Sequence, residues 1–177
     1  MHQEIIELCM EGNTKAQFQL YKLYYKGMYS VSLRIVNDEV EAEDIMQEAF
    51  LSAFKKIETY QGEVSFGAWL KKIVVNRSVD HLKKKKVHIE EITERTMEMA
   101  DYQTETKEVD INTIKSAIRE LPDGYRVVLS LYLIEGYDHE EISEILGISN
   151  SSSRTQLLRA KNKLKELLKG REIFSYN

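Results

Sequence analysis

Met46, Ala49, Phe50, Ala53, Phe54 and Ile57 recur at three- and four-residue spacing. That rhythm puts them on one side of a helix and excludes a strand, whose side chains alternate with a period of two. It returns in Phe66, Trp69, Leu70, Ile73 and Val74, and again in Leu157, Ala160, Leu164 and Leu168. No stretch shows the strand alternation, and no internal repeat is visible. One proline and eight glycines suit helices joined by short turns, not a sandwich or barrel. The expected fold is all-α.

The helices follow in order. Glu4 to Met10 reads as a short helix, ended by Gly12-Asn13. Asn13 or Thr14 caps a segment over 14–36 that carries Phe18, Tyr21, Leu23, Tyr25, Met28, Val31, Leu33 and Ile35, with Gly27 placed to bend or divide it. Glu41 to Glu58 and Phe66 to about Lys85 are amphipathic helices separated by a loop over 59–65. Ile111–Glu120, Tyr125–Ile134, His139–Leu146 and Asn150 to about Lys169 complete the set, with Gly136 and Gly147 as stops. Between the two groups, residues 87–111 hold few large apolar groups and many acids and threonines, the composition of a flexible linker. The layout is therefore two small helical domains, 1–86 and 112–170, an acidic tether and a tail over 171–177.

The net charge of −4 conceals a strong pattern. Residues 38–48 carry six acids and no base, and residues 89–110 eight acids and two bases. Residues 71–86 and 154–171 each carry seven bases and one acid. Two separated basic blocks suit two places on one polyanion. Cys9 is the only cysteine, so neither an internal disulfide nor a cysteine metal site is possible. His2, His81, His88 and His139 lie far apart without ligand spacing and read as surface residues, so no metal or cofactor is expected. No run of about 18 apolar residues is present, and the first residues lack the form of a signal peptide. A cytoplasmic protein without membrane insertion is the simplest expectation.

The segment Tyr137 to Lys169 has the features of a helix-turn-helix. Ile142, Ile145 and Leu146 form one apolar face, Gly147 suits a left-handed cap, Ile148 plugs the corner, and Ser149 caps the next helix. That helix turns Leu157, Ala160, Leu164 and Leu168 inward, with Ser153 at its narrow start. At about 100° per residue, Thr155 and Arg159 point away from this stripe, flanked by Arg154, Gln156, Leu158 and Lys163. A longer helix entering the major groove by its first turns reads bases this way, with arginines on phosphates or guanine edges and Leu158 on a thymine methyl. The plainer reading is a helical hairpin with a solvated basic face.

Lys71, Lys72, Asn76, Arg77 and Lys83 to Lys86 crowd the other basic helix. This is either a solvated charged face or a nucleic-acid surface, with Asn76 able to pair with a base edge and Tyr60-Gln61-Gly62 able to wall a pocket for an unstacked base. On the acidic helix, Asp44, Gln47, Glu48 and Leu51 lie outside the buried stripe. Acids there stabilise the helix macrodipole, or they form a protein-binding face with Leu51 as its apolar anchor. The residues alone leave both readings open.

Three motifs together resemble the sigma-70 family of bacterial transcription initiation factors, in its extracytoplasmic-function (ECF) group. Glu43-Asp-Ile-Met-Gln-Glu-Ala-Phe50 is similar to the family's region 2.2. Phe66-Gly-Ala-Trp-Leu-Lys-Lys-Ile-Val-Val-Asn76 is similar to regions 2.3 and 2.4, and Leu121-Pro122 with Tyr125 to Leu168 to region 4. The resemblance implies that Asp44, Gln47, Glu48 and Leu51 bind the clamp coiled coil of core RNA polymerase. It implies that Tyr60, Gln61, Gly62, Phe66, Lys72, Asn76 and Arg77 meet the minus-10 element. It places Arg154, Thr155, Gln156, Leu158, Arg159 and Lys163 on the minus-35 element, with region 4 resting on the polymerase flap. An anti-sigma factor, often membrane-bound in this group, is the implied regulator.

Two departures stand out. Ser151-Ser-Ser153 replaces the frequent Gly-Thr-Val, and Gln156 replaces the usual second base of the helix. Both look similar to sigma factors of the Bacteroidetes type. The expected role is a non-enzymatic specificity subunit. A stand-alone dimeric helix-turn-helix regulator would need a dimer helix that the sequence does not offer. A nucleic-acid enzyme would need clustered carboxylates or histidines, whereas the acids at 38–48 spread around their helix.

Overall fold

The structure is a computed structural model that describes residues 2–85 and 110–174, with side chains described as far as residue 169. Of the tether expected over 87–111, only Asp110 and Ile111 are among the described residues, and His88 lies outside them. The chain divides into two units, one spanning Met1–Val87 and the other His88–Asn177. The described residues of each are helical and contain no strand.

The first unit holds α1 (Gln3–Met10), α2 (Thr14–Val36), α3 (Glu39–Lys55), a 3₁₀ turn (Ile57–Thr59) and α4 (Phe66–Lys84). Helix starts follow side-chain capping chemistry. Asn13 Oδ1 accepts the N–H groups of Lys15 and Ala16, Asp38 accepts that of Glu41, and Ser65 accepts that of Ala68. Gly27 does not divide α2, which continues through it. An exposed glycine costs a helix interior only about 1 kcal/mol, and packing along the rest of α2 outweighs it. Helices α2, α3 and α4 pack together, and α1 lies against α2. Leu20 and Ile35 of α2, Ala49 and Phe50 of α3, and Leu70, Val74 and Val75 of α4 form the core. Each large side chain buried there contributes about 1.5–3 kcal/mol. One polar pair sits among them: Ser78 Oγ lies 3.1 Å from Ser32 Oγ and 2.8 Å from the Val74 carbonyl, so the buried hydroxyls are satisfied.

The second unit holds α5 (Ile111–Arg119), α6 (Asp123–Leu129), α7 (His139–Leu146) and α8 (Asn150–Phe174). The helix expected over Tyr125–Ile134 widens after Leu129 into a π turn, Ser130–Ile134, where Glu135 N–H bonds to the Ser130 carbonyl at 3.0 Å. The turn leaves Tyr132, Leu133 and Ile134 exposed, and Gly136 at φ 83° ends it. Helix α8 packs on α5, α6 and α7 over a core that includes Val127, Leu129, Leu131, Ile142, Leu157 and Ala160. Arg126 is buried, yet its guanidinium donates to the Leu121 carbonyl at 3.2 Å and pairs with the Asp123 carboxylate. This ties the Leu121-Pro122 turn to α6.

Candidate nucleic-acid interface

The corner between α7 and α8 forms as the residues require. Gly147 takes φ 72° and ψ 37°, a left-handed conformation that a side chain disfavours by about 1–2 kcal/mol. Its N–H and that of Ile148 both bond to the Ser143 carbonyl, at 2.8 and 3.2 Å. Ser149 Oγ accepts the Ser152 N–H at 3.1 Å, which starts α8. Asp138 caps α7 in a capping box, with Glu141 returning a carboxylate to the Asp138 N–H at 2.9 Å.

Along α8, Arg154 and Leu158 are exposed, while Thr155 and Arg159 are half-buried. Gln156 is 1% exposed, which corrects its assignment to the DNA contacts. Gln156 and Ser152 join Ser153, Leu157 and Ala160 in the buried stripe. This widens the stripe on one side and turns the outward face away from Arg159 toward Leu158. Arg154 Nε donates to Asn150 Oδ1 at 2.8 Å, so its guanidinium lies along the first turn. Lys163 is exposed and paired with Glu166 at 3.0 Å.

His139 departs from the surface position expected of it. It is only 9% exposed, its ring stacks on Tyr132 at 4.6 Å, and its Nδ1 lies 2.8 Å from Ser153 Oγ. Burial pushes its pKa down, the cations Arg154 and Lys161 add to this, and Asp138 opposes it. The sequence signal was available: a serine at a narrow helix corner has a hydroxyl that needs a partner.

In the first unit, the loop over 60–65 rests on aromatic rings. Tyr60 Oη donates to the Val64 carbonyl at 2.7 Å and closes the loop. Its ring meets Phe66 at 5.6 Å edge-on and Trp69 at 5.5 Å. Gln61 and Gly62 are exposed at the tip, with Gly62 at φ 76°. Phe66 is 3% exposed, so it supports the loop from below and is not presented to a base. It serves the core stripe rather than the DNA contact also expected of it. Gly67 is a residue that sequence reasoning passed over. A Cβ there would stand 3.0 Å from Tyr24 Cε1, and the absence of one lets α4 approach α2. Lys72 and Asn76 are exposed on α4.

Helix α3 presents Asp44, Gln47, Glu48 and Leu51 together on one exposed arc, with Leu51 62% exposed. Each edge of that arc borders a groove. Gln47 and Leu51 line an apolar groove with Phe18, Tyr21, Phe50 and Phe54. Asp44 and Glu48 line a charged one with Asn76 and Arg77. Across it Arg77 Nη1 donates to Glu48 at 2.8 Å, and Glu41 pairs with His81 at 3.0 Å and with Lys85. Arg77 is thus engaged with the acidic helix as well as adjoining the basic face. Among the described residues, no group of three or more His, Cys, Asp or Glu is placed to hold a metal ion, and no helix is long and apolar enough to cross a membrane.

The first unit thus carries a loop propped beside a basic helix, and the second a helix-turn-helix with a basic outer rim. Comparison with known proteins gives the family. Residues 20–87 match the model for sigma-70 region 2, and residues 111–164 that for sigma-70 region 4. The ECF RNA polymerase sigma factor SigM of Bacillus subtilis is 30% identical over 159 residues, covering 84% of this chain and 93% of that protein. SigW of the same organism, also an ECF RNA polymerase sigma factor, is 30% identical over 177 residues, covering 93% and 95%. The chain belongs to the sigma-70 family of sigma factors, in its ECF group. Its fold resembles two solved structures. One is the sigma factor RpoE in complex with the anti-sigma factor NepR from Bartonella quintana, at TM-score 0.57, 22% identity and coverage of 85% and 95%. The other is CnrH in complex with the cytosolic domain of CnrY, at 0.54, 21%, 94% and 96%.

Proposed function

We propose that this chain directs core RNA polymerase to promoters by two DNA contacts and one protein contact, with no catalytic chemistry of its own. The observation that carries the reading is the pairing of two family matches with two exposed basic faces, one on each unit. Helix α8 reads the minus-35 element as duplex through Arg154, Thr155, Leu158 and Arg159, with Lys163 on the backbone. The loop tip at Gln61 and Gly62, with Tyr60, Lys72 and Asn76, takes the unstacked strand of the minus-10 element. Arg77 supplies phosphate contact when it leaves Glu48. The α3 arc at Asp44, Gln47, Glu48 and Leu51 docks on the polymerase clamp, and the second unit rests on the flap.

Binding energy drives the mechanism. Phosphate neutralisation by the basic faces releases counterions and supplies affinity without sequence preference. Base contacts add the preference. Capture of a flipped base offsets part of the cost of unpairing, so strand opening follows recognition. An anti-sigma factor that covers the α3 arc is the proposed regulator, supported by the likeness to a sigma factor solved with one. The working compartment is the cytoplasm, where the polymerase is. Reconstitution with core polymerase and a library of genomic fragments tests the reading. Promoter-specific transcripts are expected; no transcript, together with no core binding, overturns it.

A further inference from the structure

Three chain segments meet at the start of α8. The His139 ring lies at the first position of α7, which its capping box fixes, and it stacks on Tyr132 of the π turn with an interplanar angle of 26°. Lys161 Nζ, further along α8, stands 6.0 Å from the centre of the same Tyr132 ring. Ser153 is fully buried, immediately precedes the exposed Arg154, and holds His139 Nδ1 at 2.8 Å. The contact therefore joins the supporting helix to the first turn of the reading helix through polar atoms.

We infer that the His139–Ser153 hydrogen bond is a positioning device: it sets the rotation of α8, and so decides which base edges Arg154 and Leu158 meet. The inference rests on the proposed reading of duplex DNA by α8. Leu157 and Gln156 hold α8 by packing one turn further on, but its first turn is buried only through the small Ser152 and Ser153, whose side chains offer little relief against rotation about the axis. A hydrogen bond is directional and supplies that restraint. The geometry makes small rotations matter. Side-chain tips lie about 5–6 Å from the axis, so a turn of about 10° moves them by about 1 Å. Hydrogen bonds to base edges tolerate only about half of that before weakening. Burial and the neighbouring cations favour the neutral ring, which leaves the nitrogen able to share the serine hydroxyl.

The test is selection from a promoter library randomised in the upstream element, using reconstituted holoenzyme. Wild-type protein must first show a base preference there; its absence overturns the reading of α8 and, with it, the inference that rests on that reading. Given a preference, three variants separate the roles. Ser153→Ala removes the hydroxyl. His139→Phe keeps a ring on Tyr132 and removes the ring nitrogen that meets Ser153. His139→Asn keeps an acceptor near the place of Nδ1 and removes the ring. Ser153→Ala and His139→Phe are expected to flatten the preference by about tenfold, the scale of one base contact. His139→Asn is expected to retain it. A preference ratio does not change with the fraction of protein folded, so mere destabilisation leaves it intact. If His139→Phe fails to fold, Ser153→Ala against His139→Asn still decides. Retention of the preference by Ser153→Ala, or its loss in His139→Asn, overturns the inference.

Discussion

Phe66→Ala separates two roles that one aromatic residue beside the loop over 60–65 can have. Phe66 is 3% exposed and meets Tyr24, Tyr60 and Trp69 at ring distances of 5.5–5.6 Å. Truncation removes a buried ring and leaves a cavity, which typically costs about 3–5 kcal/mol. The three ring contacts, each worth about 0.5–1.5 kcal/mol beyond area, place this site in the upper part of that range. A helical unit of this size has a stability of about 4–13 kcal/mol, so the loss takes nearly all of it at the low end of that range and about a third at the high end. Trp69 is the only tryptophan and packs on Phe66, so its fluorescence reports the unit directly. With a urea slope of about 1–3 kcal/mol per molar, the midpoint is expected to fall by about 2 M. Below the transition, binding of a single-stranded minus-10 oligonucleotide by holoenzyme should fall less than tenfold. An unchanged urea midpoint combined with lost strand binding would refute the argument, because Phe66 would then be a contact and not part of the core.

Three further outcomes are expected. Asp44→Arg reverses a charge on the exposed α3 arc, beside Glu48 and away from the core, so it should weaken core polymerase binding by at least about tenfold in a pull-down, with the far-ultraviolet dichroism unchanged. Arg154→Ala should reduce the slope of log affinity against log salt by about 1 for minus-35 duplex, whereas Gln156→Ala should leave that slope unaltered and lower stability instead. The His139 pKa is held below its usual value, so the stability it contributes is present above about pH 6.5 and is lost as the pH falls through the folded value. Thermal melts should therefore show acid sensitivity in wild type below about pH 6.5 that His139→Phe reduces.

The helix order was legible because it rests on local chemistry. Asn13, Asp38, Ser65, Asp138 and Ser149 cap where side-chain oxygens can reach the following N–H groups, and Gly147 stops α7 in the one conformation that favours glycine. The exposed arc of Asp44, Gln47, Glu48 and Leu51 was legible for a similar reason, since helical periodicity alone places the four on one side of α3. What escaped depends on partners distant in sequence. Helical periodicity sets Gln156 beside the stripe of Leu157 and Ala160, but only the approach of neighbouring helices decides that it is covered. Phe66 begins an amphipathic helix and also borders a loop, and the ring cluster of Tyr24, Tyr60 and Trp69 assigns it to the core.

His139 is the sharpest case. Nothing in its neighbours Asp138 and Glu140 suggests burial, and an isolated histidine usually belongs at the surface. Its place follows from the π turn, which brings Tyr132 under the ring, and from Ser153, 14 positions onward, whose hydroxyl receives it. The serine that marks the departure from the frequent family pattern is therefore explained by a residue outside the motif. Promoter preference in such a helix depends on the side chains that touch DNA and on the contacts behind them that set their angle. On the proposed reading, substituting Arg154 or Leu158 is expected to change what is read, and substituting Ser153 or His139 to change where the reading helix points.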